Sequence, residues 1–172
     1  MLLFFCWYIV DASAQTNNDA ADWKTVNLTE SHIKLSYPTA WYFENKGVRF
    51  VIKSPKENEA DAFFENINII TKTVTNTDGA TMADIGAASL ESVKNKYPSL
   101  QLNYSKATTW MNSNAWELSY QVKSDGNNVQ LLQRVYLNND LFVVATYTAA
   151  VKEKDMYAAT ALKVMDGMEV LK

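Results

Sequence analysis

The amino-acid sequence predicts an α+β fold: an α/β/α sandwich in which two main helices flank a central, mainly antiparallel sheet. Short segments with apolar residues at every second position predict β-strands. Turn-forming residues separate most of these segments, which predicts hairpins and therefore antiparallel pairing. Two further segments carry apolar residues at helical spacing, and each such amphipathic helix needs one sheet face to pack on.

Three short strands open the predicted domain. Residues 33–37 alternate between apolar and polar side chains before a proline. Residues 41–43 and 48–52 follow, and a turn at Gly47, which adopts positive φ without strain, joins them. A charged loop over residues 55–61 separates these strands from a longer one.

The longer strand spans residues 64–74, with Ile67 and Ile69 on one face and Asn66 and Asn68 on the other. Because a buried amide needs hydrogen-bond partners, the two asparagines predict either the polar floor of a pocket or an outward, solvated face. We therefore take them as candidate binding residues.

The first helix begins at Thr81, which forms a capping-box pattern with Asp84. It ends at Tyr97, because a residue before proline disfavours α geometry. One stripe of the helix, apolar except for Ser89, comprises Met82, Ile85, Ser89, Leu90, Val93 and Tyr97.

Four strands are predicted next, over residues 100–110, 116–122, 129–137 and 141–149. The last of them is apolar on both faces, which is typical of a central strand covered on both sides.

A second helix closes the domain. We expect Asp155 to cap it, residues 157–165 to carry its apolar arc and Gly167 to end it. Residues 168–171 predict a short final strand.

The N-terminus predicts an exported protein, periplasmic or secreted. Residues 2–10 form an unbroken apolar run, shorter than the ~20 residues that span a bilayer. Ala-Ser-Ala at residues 12–14 fits the small-x-small pattern of a signal-peptidase site. We expect residues 1–14 to be a signal peptide, 15–30 a flexible linker and 31–172 a single domain, with no transmembrane segment in the mature chain. The alternatives are a buried first strand or a lipid anchor on the only cysteine, Cys6.

The composition argues against several classes of function. Net charge is −3 and no stretch concentrates Lys or Arg, so we expect no nucleic-acid partner. The chain lacks a Gly-rich phosphate loop. Its one histidine, His32, accompanies no Gly-x-Ser-x-Gly or Ser-x-x-Lys motif. We expect it to be solvated, and we assign no catalytic residue.

Several segments resemble one family. Tyr37-Pro38-Thr39-Ala40-Trp41 is similar to the Tyr-Pro-x-x-Trp segment near the start of Mog1/PsbP-like domains. The loop over residues 54–61 and the strand over 63–69 resemble those of bacterial PsbP-related exported proteins. The helix ending at Lys96-Tyr97-Pro98 and the hairpin over residues 114–136 fall in the matching order.

The resemblance covers roughly residues 31–172. It implies an α/β/α sandwich with a central antiparallel sheet. Members of this family act as binding or assembly subunits, one group in photosystem II and another on the small GTPase Ran. The resemblance assigns no functional residue to this chain.

Two sets of side chains are candidate sites. Hard divalent cations take several carboxylate oxygens, so the densest acidic cluster is a candidate metal site, with a solvated loop paired to nearby lysines as the alternative. That cluster consists of Glu57, Glu59, Asp61 and Glu65. The Trp and Tyr residues mostly follow strand spacing, so core or cross-strand packing is the default, and Trp41 and Trp110 are the best candidates for a partly exposed aromatic platform that binds a sugar, a lipid tail or a protein.

The sequence therefore predicts an exported, non-catalytic binding or assembly module with a protein or cell-envelope partner and no cofactor beyond a divalent cation at the acidic cluster. One alternative is a small-molecule or lipid carrier with a pocket between sheet and helix. Another is a metal-dependent hydrolase that uses the acidic loop.

Overall fold

Ten β-strands and two α-helices form within the residues that the computed structural model describes, which are 22–56, 59, 63–75, 79–124, 126–138 and 140–171. The strands are β1 (Trp23–Leu28), β2 (Ile33–Pro38), β3 (Tyr42–Asn45), β4 (Arg49–Lys53), β5 (Asn66–Thr73), β6 (Gln101–Trp110), β7 (Ser113–Ser124), β8 (Asn127–Asn138), β9 (Leu141–Ala150) and β10 (Glu169–Val170). The helices are α1 (Met82–Lys96) and α2 (Ala158–Asp166).

Seven strands form the large sheet, in the order β3-β4-β5-β9-β8-β7-β6. Every pair in it is antiparallel. The predicted central strand is confirmed: β9 lies fourth of the seven, between β5 and β8. Its apolar residues face both ways, since Val143 and Ala145 belong to one core cluster and Phe142 and Val144 pack against the other.

Helix α1 covers part of one face of the large sheet. The predicted capping box is present, because Asp84 N donates to Thr81 Oγ1 at 3.2 Å while Thr81 N donates to Asp84 Oδ2 at 2.9 Å. Hydrogen bonds to Thr81 lower the pKa of Asp84, which favours the charged form at the positive helix N-terminus. The helix packs on β6, β7 and β8, where Gly86 contacts the indole of Trp116.

The opposite face of the large sheet is covered by a small sheet and by α2. The small sheet has the order β1-β2-β10 and is also antiparallel. Its inward residues Ile33 and Leu35 join Ile67 and Ile69 of β5 and Val164 of α2 in the larger core cluster. Together with α1 these layers make the α+β sandwich that the sequence predicts.

Two predicted details differ in the structure. The predicted linker covers residues 15–30, but its second half is folded. Strand β1 pairs with β2 along its whole length, and Leu28 is buried. Residues 1–21, which include the predicted signal peptide over 1–14, lie outside the described residues.

Asp155 does not cap α2, whose N-cap is Tyr157. The Asp155 carboxylate instead accepts a hydrogen bond from Lys154 Nζ at 2.6 Å.

Candidate functional site

Among the described residues, helix α1 covers only the β6, β7 and β8 end of its face of the large sheet. It packs on β6, β7 and β8, while the same face of β3, β4 and β5 lies beyond it. Strand register places one set of side chains side by side there, and we call this surface the open face. Its residues are Tyr42, Glu44, Arg49, Val51, Lys53, Asn66, Asn68 and Ile70.

A chain of hydrogen bonds runs through the middle of the open face. Arg49 donates to Asn68 Oδ1 from Nη2 at 2.9 Å and from Nε at 3.3 Å. Asn68 Nδ2 donates to Asn66 Oδ1 at 2.6 Å, and Asn66 Nδ2 donates to the Phe64 carbonyl at 3.0 Å. The two predicted binding asparagines therefore come together, half-buried, and hold the guanidinium of Arg49 in one orientation.

Exposed apolar side chains surround this polar chain. Tyr42 is 60% exposed and Ile70 is 45% exposed, and Phe64, just before β5, is 38% exposed. Lys53 Nζ lies 5.8 Å from the Tyr42 ring centroid. Aromatic residues and arginine are enriched at protein interfaces and supply most of their binding energy. The open face thus has the composition of a protein-binding surface.

The charge on the open face is mainly positive. Arg49 and Lys53 contribute two cations to it. Its one carboxylate, Glu44, is paired with Lys46 at 2.9 Å, and hydrogen bonding to Lys46 lowers the pKa of Glu44. This local excess of cations lies on a chain whose net charge is −3.

The predicted metal site is only partly within the described residues. Glu57 and Asp61 lie outside them, and Glu59 lies on an exposed turn. Glu65 is fully buried, where its carboxylate accepts from Ser54 Oγ at 3.3 Å and from Ala150 N at 3.4 Å. Within the described part of the chain no three potential ligands cluster around a metal-sized space. The cation site stays a prediction.

The expectation of a partly exposed platform at Trp41 and Trp110 is wrong. Their exposed fractions are only 6% and 3%. Trp110 Nε1 donates to the Met165 carbonyl at 2.6 Å, and Trp41 packs edge-on against Tyr157 with ring centroids 5.5 Å apart. Both indoles are buried because α2 and the segment before it close over them. Tyr42, one residue after Trp41, instead carries an exposed aromatic ring.

Sequence reasoning missed a polar cluster around a buried carboxylate on the opposite face of the large sheet. Glu117 of β7 is 7% exposed and accepts from Arg134 Nε at 2.8 Å and from the Tyr104 hydroxyl at 3.1 Å. Arg134 also pairs with Asp166 at the end of α2. Lys106 Nζ completes the cluster, 3.7 Å from Glu117.

Through Arg134 and Asp166 the cluster also links the end of α2 to the large sheet. Burial alone would lower the pKa of Arg134, but its hydrogen bonds to Asp166 and Glu117 and the charges of these two carboxylates together raise it. Burial, followed by the charge of Glu117, raises the pKa of Tyr104. The sequence held one sign of these polar contacts: only two of its 16 basic residues are arginines, Arg49 and Arg134, and each lies in one of the two networks. Arginine is suited to such forked contacts.

His32 lies exposed, as expected, in the left-handed backbone region with φ of 53°. It ends the 3-10 turn Thr29–Ser31, and its N–H donates to the Thr29 carbonyl at 3.1 Å. We find no helix in the described residues with the length and apolar character needed to cross a bilayer.

Comparison with solved structures identifies the fold. A search against family models found no match to this sequence, and no curated protein matches it. The cyanobacterial PsbP (CyanoP) from Synechocystis sp. PCC 6803 superposes with a TM-score of 0.63 at 19% identity, over 90% of this chain and 95% of that one. The chain has the PsbP/Mog1-like fold.

Two more structures with this fold are similar to the chain. LpqN, which is involved in cell envelope biogenesis of Mycobacterium tuberculosis, gives a TM-score of 0.66 at 15% identity, over 90% of this chain and 93% of LpqN. The Ran-binding protein Mog1p of Saccharomyces cerevisiae gives 0.61 at 12% identity, over 89% of this chain and 97% of Mog1p. The fold class expected from the resemblance is therefore confirmed.

Proposed function

We propose that this chain is an exported, non-catalytic binding or assembly module whose open face docks on a protein partner in the cell envelope. The observation that carries the proposal is the open face itself. Exposed Tyr42 and Ile70 flank an arginine whose guanidinium is already held by Asn68.

Preorganisation makes Arg49 suited to binding. A free arginine side chain loses rotamer freedom when it is fixed at an interface, and that loss weakens association. The hydrogen bonds from Arg49 to Asn68, supported by Asn66, fix the side chain before a partner arrives. The remaining guanidinium N–H groups can then donate to acceptors on the partner.

The proteins that share the fold support a binding role. Mog1p binds Ran, and LpqN is involved in cell envelope biogenesis. The apolar run over residues 2–10 and the small residues at 12–14 support export. A module outside the cytoplasm that binds an envelope protein accounts for both lines of support.

Site-specific photo-crosslinking in the cell that produces the protein tests the proposal. A benzophenone amino acid replaces Ile70 on the open face, and in a matched strain it replaces the exposed Lys123 at the end of β7. We expect one discrete protein adduct from position 70 and none of that mass from position 123. Introducing Arg49→Ala into the Ile70 strain should abolish the adduct. The same adducts from both positions would overturn the proposal, as would the absence of any adduct from position 70.

A further inference from the structure

An apolar groove lies between the first turns of α1 and the large sheet. Strand pairing aligns Lys72 of β5 with Phe142 of β9, and Phe142 with Leu137 of β8. Ile85 of α1 faces them, and the groove has a volume of about 240 Å³. Val74 and Ala80 line the remaining side.

The end of β5 is fixed beside the groove. Val74 N donates to the Asp140 carbonyl at 2.7 Å, which ties the strand end to the turn between β8 and β9. Ile85, Leu137 and Phe142 are each half-buried, so their apolar surfaces stay partly open to the groove. An apolar ligand there would remove this surface from water.

Among the described residues that line the groove, one is charged, and it is a cation. Lys72 is exposed, and no carboxylate of the described residues forms an ion pair with its ammonium. The other lining residues are Val74, Ala80, Ile85, Leu137 and Phe142, all apolar. An apolar groove with an ammonium at its rim is complementary to an anionic amphiphile, which has an apolar chain and a negatively charged head group.

We propose that this groove binds a single-chain anionic amphiphile, a fatty-acid carboxylate, with the acyl chain against Phe142 and Ile85 and the carboxylate paired with Lys72. The volume of about 240 Å³ is below the ~300 Å³ at which pockets begin to take drug-sized ligands, and it suits one unbranched chain. The groove adjoins the open face, since Lys72 lies two residues after Ile70 on the same face of β5, but its proposed ligand does not depend on the proposed protein partner.

Calorimetric titration of the full chain with sodium hexanoate, octanoate, decanoate and dodecanoate, each below its micelle concentration, tests the proposal. Each buried methylene should tighten binding about fourfold until the groove is filled, and longer chains should gain no more. Saturable binding of one carboxylate per chain is the expected result. The absence of saturable binding at every chain length would overturn the proposal.

Variants separate this groove from other apolar surface, including the N-terminal run. Ala80→Trp should fill the groove and weaken decanoate binding at least tenfold, without lowering the melting temperature, because Ala80 is exposed. Lys72→Gln should weaken binding of decanoate but not of decanol, while the exposed control Lys123→Gln changes neither. Binding that survives Ala80→Trp, or equal affinities for Lys72→Gln and Lys123→Gln, would contradict the assignment.

Discussion

Gly86 of α1 lies directly against the indole of Trp116 on β7. A Cβ placed on Gly86 would come 2.3–2.5 Å from three atoms of that ring, which is closer than atoms can approach. The ring cannot easily move, because Trp116 Nε1 donates to Ser105 Oγ at 2.8 Å. The missing side chain of Gly86 therefore sets how closely α1 approaches the sheet.

Gly86→Ala should destabilise the protein even though alanine favours helix by about 1 kcal/mol. Overpacking costs about 1–3 kcal/mol, and the 2.3 Å approach places this substitution at the upper end, so we expect a net loss of about 2 kcal/mol in the free energy of unfolding. Urea denaturation followed by circular dichroism measures it. Adding Trp116→Leu should remove most of the penalty of Gly86→Ala. A more stable Gly86→Ala protein would contradict the close approach.

The contributions of Glu117 and Arg134 to the free energy of unfolding should be strongly coupled. Arg134→Met leaves the Glu117 carboxylate buried without its main partner, and breaking a buried pair costs about 3–5 kcal/mol. Arg134→Met combined with Glu117→Leu should recover most of that loss, since no buried charge remains. Asp166→Asn is the control: its side chain is 61% exposed, so the change should cost less than about 1 kcal/mol. Urea denaturation measures the free energy of unfolding. Equal losses in Arg134→Met, in the double variant and in Asp166→Asn would argue against a buried pair.

Trp41 and Tyr42 are neighbours in sequence with opposite roles. Trp41→Ala should cost about 3–5 kcal/mol, because it empties a buried site against Tyr157. Tyr42→Ala should change stability by less than about 0.5 kcal/mol, because the ring is exposed, and should weaken binding at the open face. Thermal unfolding of the two variants gives the comparison. Similar losses of stability in the two variants would contradict a buried Trp41 and an exposed Tyr42.

Stability should fall in alkaline solution. Burial, followed by the charge of Glu65, raises the pKa of Tyr147, and burial with a smaller contribution from Tyr97 raises the pKa of Tyr120 to about 12. Unfolded tyrosine titrates near pH 10, so the unfolded chain loses protons first. This contribution to stability is fully present below pH ~10 and is lost as pH rises through the folded pKa values.

Between about pH 10 and 12 each of these two tyrosines should lower the free energy of unfolding by about 1.4 kcal/mol per pH unit. Urea denaturation from pH 9 to 11.5 measures the slope, and tyrosinate absorbance shows when the native rings ionise. Tyr120→Phe should reduce the slope by about 1.4 kcal/mol per pH unit. Native tyrosines that all ionise near pH 10 would contradict the burial of Tyr147 and Tyr120.

Local sequence patterns predicted most of the fold. The apolar run that starts at Leu141 identified the central strand, and Thr81 with Asp84 identified the start of α1, because each signal is confined to a few neighbouring residues. The capping prediction at Asp155 was wrong, since its side chain pairs with Lys154 and α2 begins three residues later.

The sites were harder to predict, because they depend on contacts between distant segments. Glu117 alternates with apolar residues on β7, a pattern typical of a solvent-facing position, yet its partner Arg134 arrives from β8 and Asp166 from α2. Trp41 and Trp110 carry no local sign that α2 and the segment before it would cover them. Asn66 and Asn68 were found from the alternation of one strand, but the Arg49 that they hold comes from β4.

The equilibrium affinity for the protein captured at position 70 tests the central claim most directly. Arg49→Ala should weaken that affinity by about 30-fold or more, the loss expected at an interface hot spot, while the melting temperature stays unchanged because Arg49 is exposed. Lys24→Ala, an exposed substitution on β1, is the matched control and should bind as tightly as the parent. An unchanged dissociation constant for Arg49→Ala would contradict the assignment of the open face as the binding surface.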